Sequence, residues 1–187
     1  MEKKARDFLQ EQKDLHPGKS LQIWFQDEAR FGQKGIVTKI WTIEGSRPTL
    51  PRQNGFKSAY IIGAVRPGTG DKHALLFDGL DARVMSIYLE DFSHRLPKHV
   101  HALMVVDGAG WHTADDLVIP KNVTLLSLPP YSPELNPIEQ IWAYLKTNFL
   151  SGRIFHGIED IFDQGVRAWR QLNTDIVKSI CAGATIK

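Results

Sequence analysis

Residues 101–114 read HALMVVDGAGWHTA. The apolar run 102–106 (ALMVV) has no polar residue at alternate positions, which marks a strand buried on both faces, as in a parallel sheet. The run stops at Asp107-Gly108, which puts a carboxylate where the strand ends. Working outward, 123–128 (VTLLSL) is a second such run, and a rigid stretch of prolines follows it at 129–133. On the other side Leu21, Ile23 and Phe25 alternate with Gln22, Trp24 and Gln26, the period-2 pattern of a strand, and lead straight into Asp27-Glu28. A short strand is predicted over 36–43. Residues 59–65 (AYIIGAV) predict another, joined as a hairpin to 73–77 (HALLF) through the turn-forming RPGTG.

Between these strands, Val84, Ile87, Tyr88, Asp91, Phe92 and Arg95 fall on one helical face that ends at Pro97. A helix is predicted to start at Asn136 and run to about residue 150. A last amphipathic helix carries Ile158, Ile161, Phe162, Val166, Trp169 and Leu172. Strands joined by hairpins, then strands alternating with helices, predict an α/β fold with a mixed sheet and helices on both faces. The polar segment 1–20 reads as a lead-in helix, 21–155 as the core, and 156–187 as a helical segment packed on it.

A chain of 187 residues, 42% hydrophobic and 24% charged, suits one domain with its own core and excludes a disordered polymer. No apolar run reaches the roughly 20 residues of a membrane helix, and the N-terminus has no signal-like apolar stretch. The expectation is a soluble, cytoplasmic protein without a membrane partner. A single cysteine, Cys181, excludes an internal disulfide and a multi-cysteine zinc site. The net charge of +2 is unremarkable, but its distribution is not. Arg30, Lys34, Lys39, Arg47, Arg52, Lys57 and Arg66 share their segment with one acid, Glu44. Part of that segment, 41–57, reads as a long basic loop. Such a block suits a polyanion-facing surface, although a solvated edge would look the same.

Three acids stand at positions where a site forms. Asp27 follows the first strand, Asp107 ends the central one, and Glu139 lies in the first turn of the helix after the prolines. Strand ends in open α/β sheets border a crevice, so neighbouring strands from Leu21 and Ala102 would bring Asp27 and Asp107 together, with Glu139 on a flanking helix. A three-carboxylate cluster repels itself unless a hard cation neutralises it, which favours Mg²⁺ or Mn²⁺. Two such ions are the usual device for in-line displacement at phosphorus. Each acid also has a plainer reading. Asp27 could be a polar strand end and Asp107 a turn residue. Asn136-Pro137-Ile138-Glu139 makes a good capping box, with Glu139 reaching back to the cap amide.

The strings WFQDEARFG (24–32), LMVVDGAGWHTA (103–114) and LPPYSPELNPIEQIWAYLK (128–146), in that order, resemble the catalytic core of DDE transposases. The resemblance is to the bacterial insertion-sequence branch of the Tc/mariner superfamily. It implies a ribonuclease H-like mixed five-stranded sheet flanked by helices, with Asp27, Asp107 and Glu139 as catalytic, metal-binding triad. It further implies cleavage and strand transfer at transposon ends, insertion at TA dinucleotides, double-stranded DNA as partner and a homodimer in the synaptic complex. In a bacterial cell the DNA-bound protein would be nucleoid-associated.

Two departures stand out. Gly108 occupies a position where many relatives have Asn, and the interval from Asp107 to Glu139 is slightly short, which points to a shortened loop near 116–121. Candidate DNA contacts are Arg30, Lys34, Arg47, Arg52, Lys57, His112 and Lys146. His112 matches a family histidine and could contact the scissile phosphate, position water or cap a short helix. Lys146 could equally be a solvated lysine. Trp111, Tyr131 and Trp142 are expected to pack rather than stack on bases. The loop 41–57 occupies the position of a family loop that helps hold the dimer and flanking DNA. Only about 20 residues precede the first core strand, too few for the paired helix-turn-helix region of such enzymes. The expectation is therefore a separate catalytic frame, a truncated copy or a fragment. Two alternatives to transposition remain: a nuclease of the same fold without strand transfer, and a non-catalytic DNA-binding or dimerising remnant.

Overall fold

The computed structural model describes residues 2–34, 43–46, 49, 53–112, 114–129 and 132–182. Helix α1 (Glu2–Leu15) leads in, followed by β1 (Ser20–Lys34), β2 (Asn54–Arg66), β3 (Asp71–Phe77), α2 (Ala82–Arg95), β4 (Val100–Val106) and β5 (Val123–Ser127). Helices α3 (Ile138–Leu145), α4 (Ile158–Gln171) and α5 (Thr174–Cys181) complete the chain. The five strands form one sheet in the order β3-β2-β1-β4-β5. β1, β2 and β3 are antiparallel neighbours, while β4 and β5 add parallel to β1, so the sheet is mixed.

The apolar run that predicted a buried strand is β4, with Ala102, Leu103 and Met104 completely inaccessible. It lies between β1 and β5, in the register Phe25↔Val105 on one side and Val105↔Leu126 on the other. Side-chain alternation splits the core into two layers. Phe25, Ala29 and Phe31 of β1 pack with α3, α4 and α5 on one face. Trp24 packs with Met85, Tyr88, Leu89 and Phe92 of α2 on the other. Helices therefore cover both faces. On α2 the buried stripe is Met85, Tyr88, Leu89 and Phe92, and Ile87 is 45% exposed, so the helix is rotated from the face read in the sequence. Met85 and Leu89 outcompete Val84 and Ile87 because they sit at the centre of a stripe spaced i, i+3, i+4, i+7.

Three other expectations change. β1 does not stop before Asp27. Antiparallel pairing with β2 carries it on to Lys34, long after its parallel pairing with β4 ends at Phe25. The helix expected from Asn136 begins at Ile138, and its last turn, Lys146–Leu150, widens into a π-helix. After Leu172 a further helix, α5, follows, capped by the Asn173 side chain accepting from the Ile176 amide. The strand expected over 36–43 falls outside the described residues except for Ile43, which is exposed and not in a strand. No helix among the described residues is long and apolar enough to cross a membrane.

Candidate active site

The site is built where β1 and β4 part company. Their parallel register ends at Phe25↔Val105, and Asp27 and Asp107 each follow two residues later in their chains. Asp107 is the first residue past β4, and its side chain is half exposed. Its Oδ1 accepts the Ala109 amide at 2.9 Å, which turns the chain sharply into the 3-10 turn Gly110–His112. Asp27 is only 9% exposed, in mid-strand, because β2 continues to pair with β1 beyond Phe25.

Helix α3 is tied to β1 on both sides of Asp27. Asn136 Nδ2 donates to the Gln26 carbonyl at 2.9 Å, and Trp142 Nε1 donates to Asp27 Oδ2 at 2.8 Å. These two bonds carry Glu139, one turn before Trp142, to the Asp27 side of the sheet. The capping-box geometry is not adopted: Pro137 occupies the cap position with no side-chain cap bond. Asn136 is spent on the strand, with its Oδ1 only 3.4 Å from the Ile138 amide. Glu139 is exposed at the helix start.

The electrostatics distinguish the acids. Burial first, then the charges of Glu28 and Glu139, raise the Asp27 carboxyl to about 7, against the lowering effect of the Glu28 amide and the Trp142 indole. Among the described residues no Lys or Arg forms an ion pair with Asp27. A buried carboxylate beside another acid and without a protein cation is the donor chemistry a hard divalent ion requires. The residues fit such an ion.

The other face of β1 carries a different arrangement. Glu28 Oε1 accepts from Gln26 Nε2 at 2.9 Å, from Trp111 Nε1 at 3.2 Å and lies 3.2 Å from His112 Nε2. His112 Nδ1 lies 3.0 Å from Asp107 Oδ1 and 3.1 Å from the Asp107 carbonyl. His112 therefore bridges Glu28 and Asp107. Burial opposes its charge, but hydrogen bonds and charges from Glu28 and Asp107 together outweigh that and raise its pKa. Glu28, Asp107 and His112 also offer ligand atoms within 4.8 Å of one another. Both ring nitrogens are already engaged with carboxylates, so the group reads as a hydrogen-bonded bridge rather than an ion site.

Of the expected DNA contacts, Arg30, Lys34 and Lys57 are exposed on the β1–β2 ribbon that runs away from the acids. Arg30 Nε donates to Ser58 Oγ at 3.0 Å, and an open groove lies between Arg30, Lys34, Phe56 and Lys57. At a strand rise of about 3.3 Å per residue, Arg30 stands roughly 10 Å beyond Asp27. Lys146 is half buried at the start of the π-helical turn, and His112 is buried among the acids. Arg47, Arg52, Lys39, Trp41 and Tyr131 lie outside the described residues. Sequence reasoning missed Glu28 as a network centre and Trp142 as a donor. Their signals were the alternation of β1, which puts Glu28 opposite Asp27, and the i, i+3 spacing of Glu139 and Trp142.

The model of the DDE superfamily endonucleases matches residues 22–161. The chain belongs to this family. It is 40% identical over 114 residues to the uncharacterized protein y4pE/y4sA of Sinorhizobium fredii, covering 61% of this chain and 84% of that one. Among solved structures, the DDE endonuclease is similar to the Mos1 Strand Transfer Complex, with a TM-score of 0.66 at 18% identity. That match covers 96% of this chain and 55% of the Mos1 chain. The Mos1 mariner paired end complex with Mn gives a TM-score of 0.65 at 16% identity, over 95% of this chain and 56% of that one. At such identities the likeness shows the fold, which is ribonuclease H-like. The chain spans just over half the length of these Mos1 chains.

Proposed function

We propose that this DDE endonuclease cleaves DNA strands at transposon ends and transfers them into target DNA, using Asp27, Asp107 and Glu139 as ligands for Mg²⁺ or Mn²⁺. The observation that supports this reading is the β1–β4 register, which ends two residues before Asp27 and Asp107, together with the Asn136 and Trp142 bonds that tie α3, the helix of Glu139, to β1 on both sides of Asp27. The Mos1 complexes with Mn and with Mg are in keeping with this choice of ion. When bound, two such ions supply activation of the attacking oxygen and stabilisation of the leaving oxygen.

The chain's own residues divide the remaining work. Asp27, buried and unpaired by any described cation, has its carboxyl raised to about 7, and a bound cation would favour its charged form. Asp107 is tied at Oδ1 by Ala109 and His112 and half exposed to the crevice. Arg30, Lys34 and Lys57 along the ribbon, Lys146 on α3's continuation, and Arg47 and Arg52 hold the phosphate backbone. His112, bridging Glu28 and Asp107, is assigned to hold Asp107 for the scissile phosphate or water. In the first reaction water attacks the phosphodiester and frees a 3′-hydroxyl. In the second that hydroxyl attacks target DNA, at TA in this reading, so one P–O bond forms for each that breaks. A homodimer brings two ends together, and the chain acts at the bacterial nucleoid.

Labelled transposon-end duplexes incubated with Mg²⁺ or Mn²⁺ test the proposal. Nicked and joined products support it. Nicking without joining would make the chain a nuclease of this fold, and binding without cleavage a non-catalytic remnant. Cleavage that survives Asp107→Ala would refute the triad.

A further inference from the structure

Trp142 looks like a core residue, since it is only 2% exposed among Ile138, Ile141 and Leu145. Its polar atom says more. A buried indole N–H needs an acceptor, and here it takes a carboxylate of the proposed ion site, Asp27 Oδ2, at 2.8 Å. The indole packs against Trp169 and Gly63. The Trp169 ring lies 5.8 Å away between centroids, tilted by 37°. Gly63, the cross-strand partner of Asp27, faces both rings: an added Cβ would come within 2.7 Å of Trp142 Cη2 and 3.1 Å of Trp169 Cη2. The strand opposite Asp27 is thus emptied of a side chain where the indole must pass to reach it. No other side chain among the described residues donates a hydrogen bond to Asp27.

We infer that Trp142 is a positioning residue for Asp27. Its N–H fixes the carboxylate rotamer before an ion arrives, so binding does not have to order the ligand. The inference rests on the reading of Asp27 as a metal ligand. Outer-sphere bonds of this kind typically change metal affinity by about 10–100-fold when removed.

Mn²⁺ titration of the purified chain, followed by electron paramagnetic resonance of the free ion and by melting, tests it. Trp142→Phe removes the donor and keeps most of the ring. Trp169→Phe shrinks the stacking partner and leaves the donor. We expect Trp142→Phe to raise the half-saturating Mn²⁺ concentration about tenfold or more. Trp169→Phe should stay within about twofold of wild type, as a packing change without loss of the bond. Equal shifts in both variants, or wild-type Mn²⁺ binding by Trp142→Phe, overturn the inference alone. A wild-type chain that binds no Mn²⁺ overturns the metal-site reading and this inference with it. A second measurement needs no variant at Trp142. In the wild-type chain, Mg²⁺ should move the Trp142 Nε1–H nuclear magnetic resonance more than that of Trp169, and Asp27→Asn should abolish the difference. Equal responses of the two indoles overturn the inference.

Discussion

Asp27 and Glu28 are neighbours on one strand, yet they face opposite layers of the protein and meet opposite chemistry. Asp27 turns towards α3, into tryptophan and aliphatic side chains, with the indole of Trp142 as its one side-chain donor among the described residues. Glu28 turns towards α2 and the 3-10 turn, where Gln26, Trp111 and His112 converge on a single oxygen. The polar face neutralises its acid internally. The apolar face leaves its acid short of positive charge, which is a cost in the ion-free protein and a source of affinity once a cation binds. Two adjacent carboxylates can therefore differ as proposed ligand and scaffold, and the pleat decides which face each one meets.

The comparison breaks most visibly at Asp27. Asp27→Asn should lower strand cleavage by roughly 10³-fold, the scale of losing a preorganised electrostatic group. The same variant should stabilise the ion-free protein as pH rises. The folded carboxyl is raised from 3.8 to about 7, so its contribution to stability is fully present below about 3.8 and is lost as pH climbs through 7. On the order of 4 kcal/mol separates the two limits, as an upper bound. Melting in a chelator at pH 4 and pH 8 should show Asn and wild type diverging; parallel curves would refute the buried-charge picture. His112 shares the sign but not the window. Its raised pKa makes its contribution fade only above the ordinary histidine value of about 6.5.

On the opposite face, Glu28→Ala takes away the oxygen that Gln26, Trp111 and His112 share and should cost about 3 kcal/mol in denaturant unfolding. A loss below about 1 kcal/mol would mean that Glu28 is not the centre of the network. Gly63→Ala tests the apolar face by packing alone. The new methyl group meets Trp142, and a cost of about 1–3 kcal/mol is expected, with weakened Mn²⁺ binding. The smallest effect lies on the ribbon beyond both faces. Lys57→Ala should leave stability unchanged and reduce the salt dependence of DNA binding by about one unit of slope. An unchanged slope would remove Lys57 from the DNA surface.

Much of this was legible in the chain. The apolar run before Asp107 announced a buried parallel strand, and the hairpin 59–77 announced itself by its turn. What misled was locality. The NPIE string satisfies every local rule for a capping box, but Asn136 finds a better partner in the Gln26 carbonyl across the sheet. The first strand looked finished at Asp27 because a charged pair usually ends a buried run, whereas β2 supplies backbone partners as far as Lys34. Trp142 read as packing because a sequence shows an indole's volume and not the direction of its N–H.

By itself the sequence determined the mixed α/β order, the identity of the acids and the basic segment 30–66, since periodicity and charge are properties of neighbours along the chain. Only the tertiary structure decided that Asp27 faces Trp142 and Glu28 faces His112, and that among the described residues one acid has no cationic partner while the other is bridged. Those outcomes depend on which groups from distant segments arrive at each face of β1. Burial and hydrogen-bond partners across more than eighty residues of intervening chain set the energy of a charge more strongly than its neighbours in sequence do.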